Sequence, residues 1–171
     1  SPLETDPARG HSALSYPQRF PDLRSTLLAD GTTADAGRYP FCHGHEDMVV
    51  LAEENATTIG WSAALARQDG FLFFAIKDAR ALPETLLWMS NGGRNYAPWS
   101  GRHTAVLGIE EAATACHDRG DFGSAPGLSK HGLACGLNLY SGTDHDIRYG
   151  FGAIPVPEGW SEIADIQVQS H

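Results

Sequence analysis

Residues 67–70, with the sequence Arg-Gln-Asp-Gly, constrain the fold more than any other part of the chain. They separate two apolar stretches, residues 57–66 and 71–76, which contain aromatic, aliphatic and β-branched side chains. An Asp-Gly step supplies the glycine with positive φ that a tight turn between antiparallel strands requires. The sequence therefore predicts a β-hairpin here, and with it an antiparallel sheet.

Further short apolar runs, separated by glycine- and proline-rich segments, predict additional strands at residues 48–52, 85–90, 104–109, 133–140, 145–151 and 163–168. The turn at residues 141–144 predicts that the strands on either side of it pair with each other. Nineteen glycines and ten prolines also favour many short strands over long helices. We predict an all-β fold over residues 41–171, either an antiparallel meander or an antiparallel β-sandwich. Five prolines within residues 1–40 predict an extended N-terminal arm, with at most a helical turn at residues 23–29.

The net charge of the chain limits the classes of molecule that it can bind. Lys and Arg number 12 against 21 Asp and Glu, which gives a net charge of -9. Such a surface repels phosphate backbones and anionic lipids, so we expect neither nucleic acid nor membrane as a partner.

Three cysteines without a Cys-x-x-Cys pair favour a reducing, cytoplasmic compartment over a disulfide framework. The sequence leaves homo-oligomerisation open.

Two adjacent carboxylates, Glu110 and Glu111, follow the strand predicted at residues 104–109. Successive strand residues point to opposite faces, so Leu107 and Ile109 would face one way and Glu110 the other. A partly buried carboxylate at such a position can take a proton from a substrate hydroxyl. The alternative is an ordinary solvated strand end.

The segment between residues 88 and 103 combines aromatic rings with forked hydrogen-bonding groups. Aromatic faces pack on the C–H faces of sugars, while amide, guanidinium and imidazole groups bond hydroxyls. This mixture predicts a carbohydrate site that includes Trp88, Asn91, Trp99, Arg102 and His103. The alternative is that both tryptophans serve only to pack the core or the sheet edge.

Residues 41–47 hold a third polar cluster, in which His43 and His45 precede Asp47. Within a strand the two histidines would share a face, as in a chelate for a divalent metal. They could equally be turn residues, or partners for sugar hydroxyls that need no metal. We predict a sugar contact for His45 and no metal.

The order of these features resembles the aldose 1-epimerase (galactose mutarotase-like) superfamily. The resemblance runs from the apolar strand at residues 71–76 through residues 82–88 and the glycine-rich loop to Leu107-Gly-Ile-Glu110, and then to the strand at residues 147–151. It implies that Glu110 is the catalytic base, that Asp47 is a loose match to a sugar-binding aspartate, and that the chain corresponds to the C-terminal part of a longer family member. The family's acid histidine would lie upstream, which leaves His43, His45 or His103 as substitutes.

The resemblance implies a carbohydrate-binding β-sandwich that interconverts the anomers of an aldose without a cofactor. Glu110 would deprotonate the anomeric hydroxyl and a histidine would protonate the ring oxygen. Two alternatives remain at this stage. One is a non-catalytic carbohydrate-binding module, and the other is a metal-dependent enzyme of small β-barrel type that uses His43 and His45.

Overall fold

The computed structural model describes residues 12–52, 58–113 and 137–169. The predicted all-β, antiparallel β-sandwich class is confirmed, because the described residues form β-strands and no α-helix. In chain order the strands are β1 (Thr26–Leu27), β2 (Thr33–Ala34), β3 (His45–Ala52), β4 (Ile59–Ala66), β5 (Phe71–Asp78), β6 (Glu84–Asn91), β7 (Val106–Ala112) and β8 (Tyr149–Pro155), with one 3₁₀ helix at Leu23–Ser25. In this described part, no helix has the length and apolar character needed to traverse a bilayer.

The hairpin predicted at the Asp-Gly step is confirmed. Strands β4 and β5 are antiparallel, with Ala66 opposite Phe71 and Ile59 opposite Asp78. Gly70 takes φ of 73°, the left-handed conformation that residues with a side chain seldom adopt. The local turn chemistry therefore determines the pairing of these two strands.

The partner predicted for the strand at residues 145–151 is wrong. Strand β8 begins at Tyr149 and pairs antiparallel with β5, so that Phe151 lies opposite Ala75. Residues 137–148 form no strand, and residues 133–136 lie outside the described part of the chain. The strand predicted at residues 163–168 is also absent. In both cases a local apolar pattern was present, but the described residues with that pattern do not form a strand.

The chain divides into two compact units. In the described part, unit 1 comprises residues 12–51 and 86–110, and unit 2 comprises residues 52, 58–85, 111–113 and 137–169. Unit 2 contains the antiparallel sheet β4-β5-β8. Unit 1 contains most of the sheet β3-β6-β7, together with the short pair β1-β2.

The sheet of unit 1 has one apolar face. Its core contains buried Leu14 and Ala36, from the segment predicted as an arm, together with side chains from the strands: Val49, Leu87 and Met89, with Leu107 and Ile109 packed against them. Because side chains alternate along a strand, the intervening residues point to the opposite face. We call that opposite side the polar face, and its strand residues include Glu46, Trp88, Ser90 and Glu110.

Two glycines allow other parts of the chain to come close to this sheet. A Cβ on Gly108 would lie 3.2 Å from the Cβ of Trp88, which places Gly108 and Trp88 on the same, polar face. A Cβ on Gly93 would lie 2.3 Å from the carbonyl carbon of His45. No side chain fits at that distance, so glycine at 93 lets the loop after β6 pack directly on the start of β3.

Candidate functional site

Glu46 is the centre of the polar face. Its side chain is almost fully buried, and it accepts hydrogen bonds from the indole Nε1 of Trp88 and, at 2.8 Å, from the hydroxyl of Ser90. The guanidinium Nε of Arg94 forms an ion pair with the same carboxylate at 3.2 Å. Two donors and one cation thus surround this carboxylate, which matches an acceptor-only glutamate.

Arg94 connects this carboxylate to the aromatic rings. Its guanidinium carbon lies 4.9 Å from the ring centroids of both Trp88 and Trp99, which is cation–π distance. The two indoles meet edge to face with centroids 6.4 Å apart. The arginine side chain is 17% exposed, so it contacts the buried carboxylate and also reaches the surface.

His103 completes the cluster. Its ring centroid lies 5.6 Å from that of Trp88 and 5.1 Å from that of Trp99. Its Nδ1 is 2.7 Å from the hydroxyl oxygen of Ser90, and its main-chain carbonyl accepts from the amide of Gly92. We call Glu46, Trp88, Ser90, Arg94, Trp99 and His103 the Glu46 cluster.

Glu110 lies on the same polar face and is exposed. The alternation predicted from the sequence matches the structure, because Leu107 and Ile109 pack against the core while Gly108 contacts Trp88. The polar face of this sheet therefore carries four of the predicted site residues, namely Trp88, Trp99, His103 and Glu110.

His45 and Asp47 lie on the opposite, core side and are fully buried. Nδ1 of His45 is 2.6 Å from Oδ2 of Asp47, which also accepts from the amide of Ala13. The other carboxylate oxygen accepts from the amide of Leu14 and the hydroxyl of Tyr16. Burial alone would raise the pKa of Asp47, but the bonds from His45 and Ala13 outweigh it and hold that pKa below its usual value. In this arrangement Asp47 fastens an earlier segment of the chain to the sheet.

Burial also affects the groups around this pair. Burial, and then the negative charge of Asp47, raise the pKa of the Tyr16 hydroxyl, which therefore remains a hydrogen-bond donor. The Nε2 of His45 and the hydroxyl of Tyr39 are buried and have no hydrogen-bond partner among the described residues. The ring centroids of these two residues are 6.1 Å apart.

The remaining predicted site residues make local structural contacts. Asn91 is buried and bridges two backbone segments, donating to the carbonyl of Cys42 at 2.5 Å and accepting from the amide of Ala105 at 2.8 Å. Arg102 is exposed and donates to the carbonyls of Pro98 and Trp99.

His43 is exposed, precedes β3 and lies beside Gly92. His43 and His45 do not lie in one strand, since β3 begins only at His45. Within the ranges that the structure describes, no three His, Cys, Asp or Glu side chains are placed to hold a metal ion together.

A second buried carboxylate, Glu111, lies in unit 2. Its Oε2 is 2.6 Å from Nζ of Lys77 and accepts from the hydroxyl of Thr85 at 2.7 Å, while Oε1 accepts from Ser62 at 2.5 Å. Lys77 also donates to Thr85 and to the carbonyl of Glu84. We call Ser62, Lys77, Thr85 and Glu111 the Glu111 cluster. Burial, and then the charge of Glu111, raise the pKa of Tyr149.

The site residues predicted from the sequence did not include Glu46, Ser90 or Arg94. A signal for the first two was present, because the alternation that places Trp88 and Ser90 on one face applies equally to β3. The prediction started β3 at residue 48, which left Glu46 outside the strand. The role of Arg94 depends on how the loop after β6 folds back, and no local pattern encodes that.

Comparisons with protein-family models, with curated proteins and with solved structures found no match for this chain. The chemistry of the two clusters is therefore the basis for assigning a function.

Proposed function

We propose that this protein binds carbohydrate on the polar face of the β3-β6-β7 sheet and interconverts the anomers of an aldose there. The observation that carries the proposal is the grouping of three aromatic rings, from Trp88, Trp99 and His103, around an arginine that is itself held by a buried carboxylate. An exposed carboxylate, Glu110, lies on the same face.

The binding step follows from the chemistry of these side chains. Indole faces pack favourably on the weakly polar C–H faces of a pyranose, while fixed donors and acceptors around them select the hydroxyl pattern. Partly exposed Arg94 supplies donors, and His103 supplies a ring nitrogen. The internal bonds of the Glu46 cluster hold these groups in place before a ligand arrives, which reduces the ordering cost of binding.

The reaction step needs only proton transfers. Removal of the proton from the anomeric hydroxyl and delivery of a proton to the ring oxygen break the C1–O5 bond and give an open-chain aldehyde. Rotation about the C1–C2 bond and closure then yield the other anomer. Glu110 and His103 are the groups of the polar face to which we assign these proton transfers, and no cofactor takes part.

A non-catalytic carbohydrate-binding module is the second candidate. One observation favours it: the Arg94 guanidinium stacks on both indoles. A surface of that kind recognises a sugar without requiring chemistry. The two candidates share the binding surface and differ only in whether anomers interconvert.

The test of the binding surface is Trp99→Ala, with Trp160→Ala as matched control. Trp160 is an exposed tryptophan of unit 2, outside the proposed surface. We expect Trp99→Ala to weaken the binding of the best ligand in an aldose panel about tenfold, which corresponds to ~1.4 kcal/mol, and Trp160→Ala to leave it unchanged. Calorimetry measures binding and polarimetry measures anomerisation of the same sugars.

The outcomes separate the candidates. Binding with faster anomerisation supports the enzyme, and binding with an unchanged rate supports the module. If no aldose binds at millimolar concentration, or if both variants lose affinity equally, a carbohydrate site on the polar face is excluded.

A further inference from the structure

We infer that Ser90 and Glu46 fix His103 in a single tautomer, with the proton on Nδ1, and so present an unprotonated Nε2 to the ligand. The acid role predicted for a histidine is thereby reversed for this residue, which acts as a proton acceptor. The inference deepens the proposed carbohydrate reaction, and its catalytic part rests on that proposal.

The argument starts from the number of protons available. A serine hydroxyl has one proton to donate, while its oxygen can accept hydrogen bonds. The Ser90 oxygen is 2.8 Å from Oε2 of Glu46 and 2.7 Å from Nδ1 of His103. The Glu46 carboxylate already accepts a hydrogen bond from the Trp88 indole and forms an ion pair with Arg94, so it can only accept from Ser90. Ser90 must therefore donate to Glu46.

The tautomer of His103 follows from that direction. With its only proton committed to Glu46, the Ser90 oxygen can only accept from the histidine, so Nδ1 must carry a hydrogen. A neutral imidazole with a proton on Nδ1 has a bare Nε2. The described residues supply no hydrogen-bond partner for this Nε2, and it is not among the buried unpartnered atoms, so it is open to a ligand.

The surroundings also favour the protonated ring that such a step produces. When Nε2 takes a proton from a sugar hydroxyl, the O–H bond breaks, an N–H bond forms and the ring becomes a cation. The faces of Trp88 and Trp99, with centroids 5.6 and 5.1 Å away, attract that cation, and Glu46 balances it through Ser90. In ring opening, the electron pair left on O1 forms the carbonyl, C1–O5 breaks, and O5 takes a proton from solvent water. The hydroxide formed from that water takes the proton from Nε2, which restores the neutral His103 ring.

Nitrogen NMR on the full chain with ¹⁵N-labelled histidine tests the tautomer directly, and His103→Gln identifies the signal. We expect the neutral ring to carry its proton on Nδ1 and to have a bare Nε2. In Glu46→Gln the amide oxygen remains with Trp88 and Arg94, so the NH₂ group faces Ser90 and donates to it. Ser90 must then donate to Nδ1, and the His103 proton moves to Nε2. Exposed His43 serves as an internal control whose signal does not change.

Three outcomes decide the inference. A His103 with Nε2 protonated in the unsubstituted protein overturns it, as does a Glu46→Gln protein whose His103 signal is unchanged. If Glu46→Gln fails to fold, Ser90→Ala replaces it, and loss of the single fixed tautomer is the supporting result. Ser62→Ala is the matched control, since it also removes a serine that donates to a buried glutamate, in unit 2.

Kinetics separates this inference from the proposed reaction. We expect His103→Gln to lower kcat about a hundredfold and Ser90→Ala about tenfold with KM unchanged, because Ser90 acts through the histidine. An unsubstituted protein that anomerises no aldose ends the proposed reaction, while the tautomer is still decided by NMR. A protein that anomerises equally well with His103→Gln overturns the role of the histidine as proton acceptor.

Discussion

The Glu46 cluster and the Glu111 cluster contain the same kinds of group in different surroundings. Each has a buried glutamate, a cation and at least one hydroxyl donor. In unit 2 the cation, Lys77, is 1% exposed and bonds only to protein groups. In unit 1 the cation, Arg94, remains partly exposed and stacks on indole rings, and Ser90 leads on to half-buried His103.

The difference separates a structural ion pair from a candidate site. Among the described residues, no side-chain atom of the Glu111 cluster is buried without a hydrogen-bond partner. In the Glu46 cluster, the buried carboxylate contacts Arg94 directly and His103 through Ser90, and both of these residues are partly exposed. Burial and charge alone are therefore poor markers of function, and the decisive feature is whether a network ends in an accessible, unpartnered atom.

The largest effect that this comparison predicts is that of Lys77→Met. It leaves the Glu111 carboxylate buried without its cation, and we expect a loss of about 3–5 kcal/mol in the free energy of unfolding. Urea denaturation followed by circular dichroism measures it. The double variant Lys77→Met/Glu111→Leu should recover most of the loss, because replacing both charges removes the unpaired one. A single variant as stable as the unsubstituted protein would show that Lys77 and Glu111 are not paired inside the protein.

An intermediate effect is predicted for acid pH, through Asp47. Its pKa is lowered in the folded protein, so its contribution to stability is complete above the usual carboxyl range and is lost as the pH falls below ~4 towards the folded pKa. We expect Asp47→Asn to cost about 1–3 kcal/mol at neutral pH, since it weakens the buried bonds to Ala13 and His45, and to flatten the decline in acid.

Denaturation midpoints between pH 2.5 and 7 measure this effect. Asp165→Asn changes an exposed carboxylate and is the control. A wild-type decline below pH 4 that persists undiminished in Asp47→Asn would assign the acid sensitivity to other groups.

The smallest effect on stability is predicted for Glu110→Gln. Glu110 is exposed, so we expect a change within about 0.5 kcal/mol. Glu111→Gln, one residue further, leaves Lys77 without its charge partner and should cost about 3–5 kcal/mol. Parallel denaturation curves for the two variants measure the contrast. Equal losses would mean that the two carboxylates are not divided between an exposed and a buried position.

The parts of the fold that the sequence predicted are those that local chemistry determines. The β4-β5 hairpin follows from the turn that ends at Gly70, and the direction of Glu110 follows from alternation with Leu107 and Ile109. The partner of β8 was predicted wrongly, because β5 lies more than seventy residues away along the chain, and no turn signal encodes that pairing.

The candidate site was predicted in part for the same reason. Trp88, Trp99 and His103 were identified by their residue types, and the structure brings them together. His45 and Asp47 were grouped with them, yet the structure places that pair on the core side. Which face a residue occupies depends on the register of β3 in its sheet. No local pattern in the sequence indicates that Gly93, from the loop after β6, packs against the backbone at His45.

The adjacent carboxylates at the start of β3 also constrain its register. Glu46 and Asp47 point to opposite faces, and each finds a different set of partners there. A slip of β3 by one residue would exchange the two faces, placing Glu46 among the core side chains and Asp47 beside Trp88 and Ser90. Both networks would break at once, so a misaligned β3 would deprive two carboxylates of their hydrogen-bond partners rather than one. The pair thus favours a single register of β3, independently of any ligand that the protein binds.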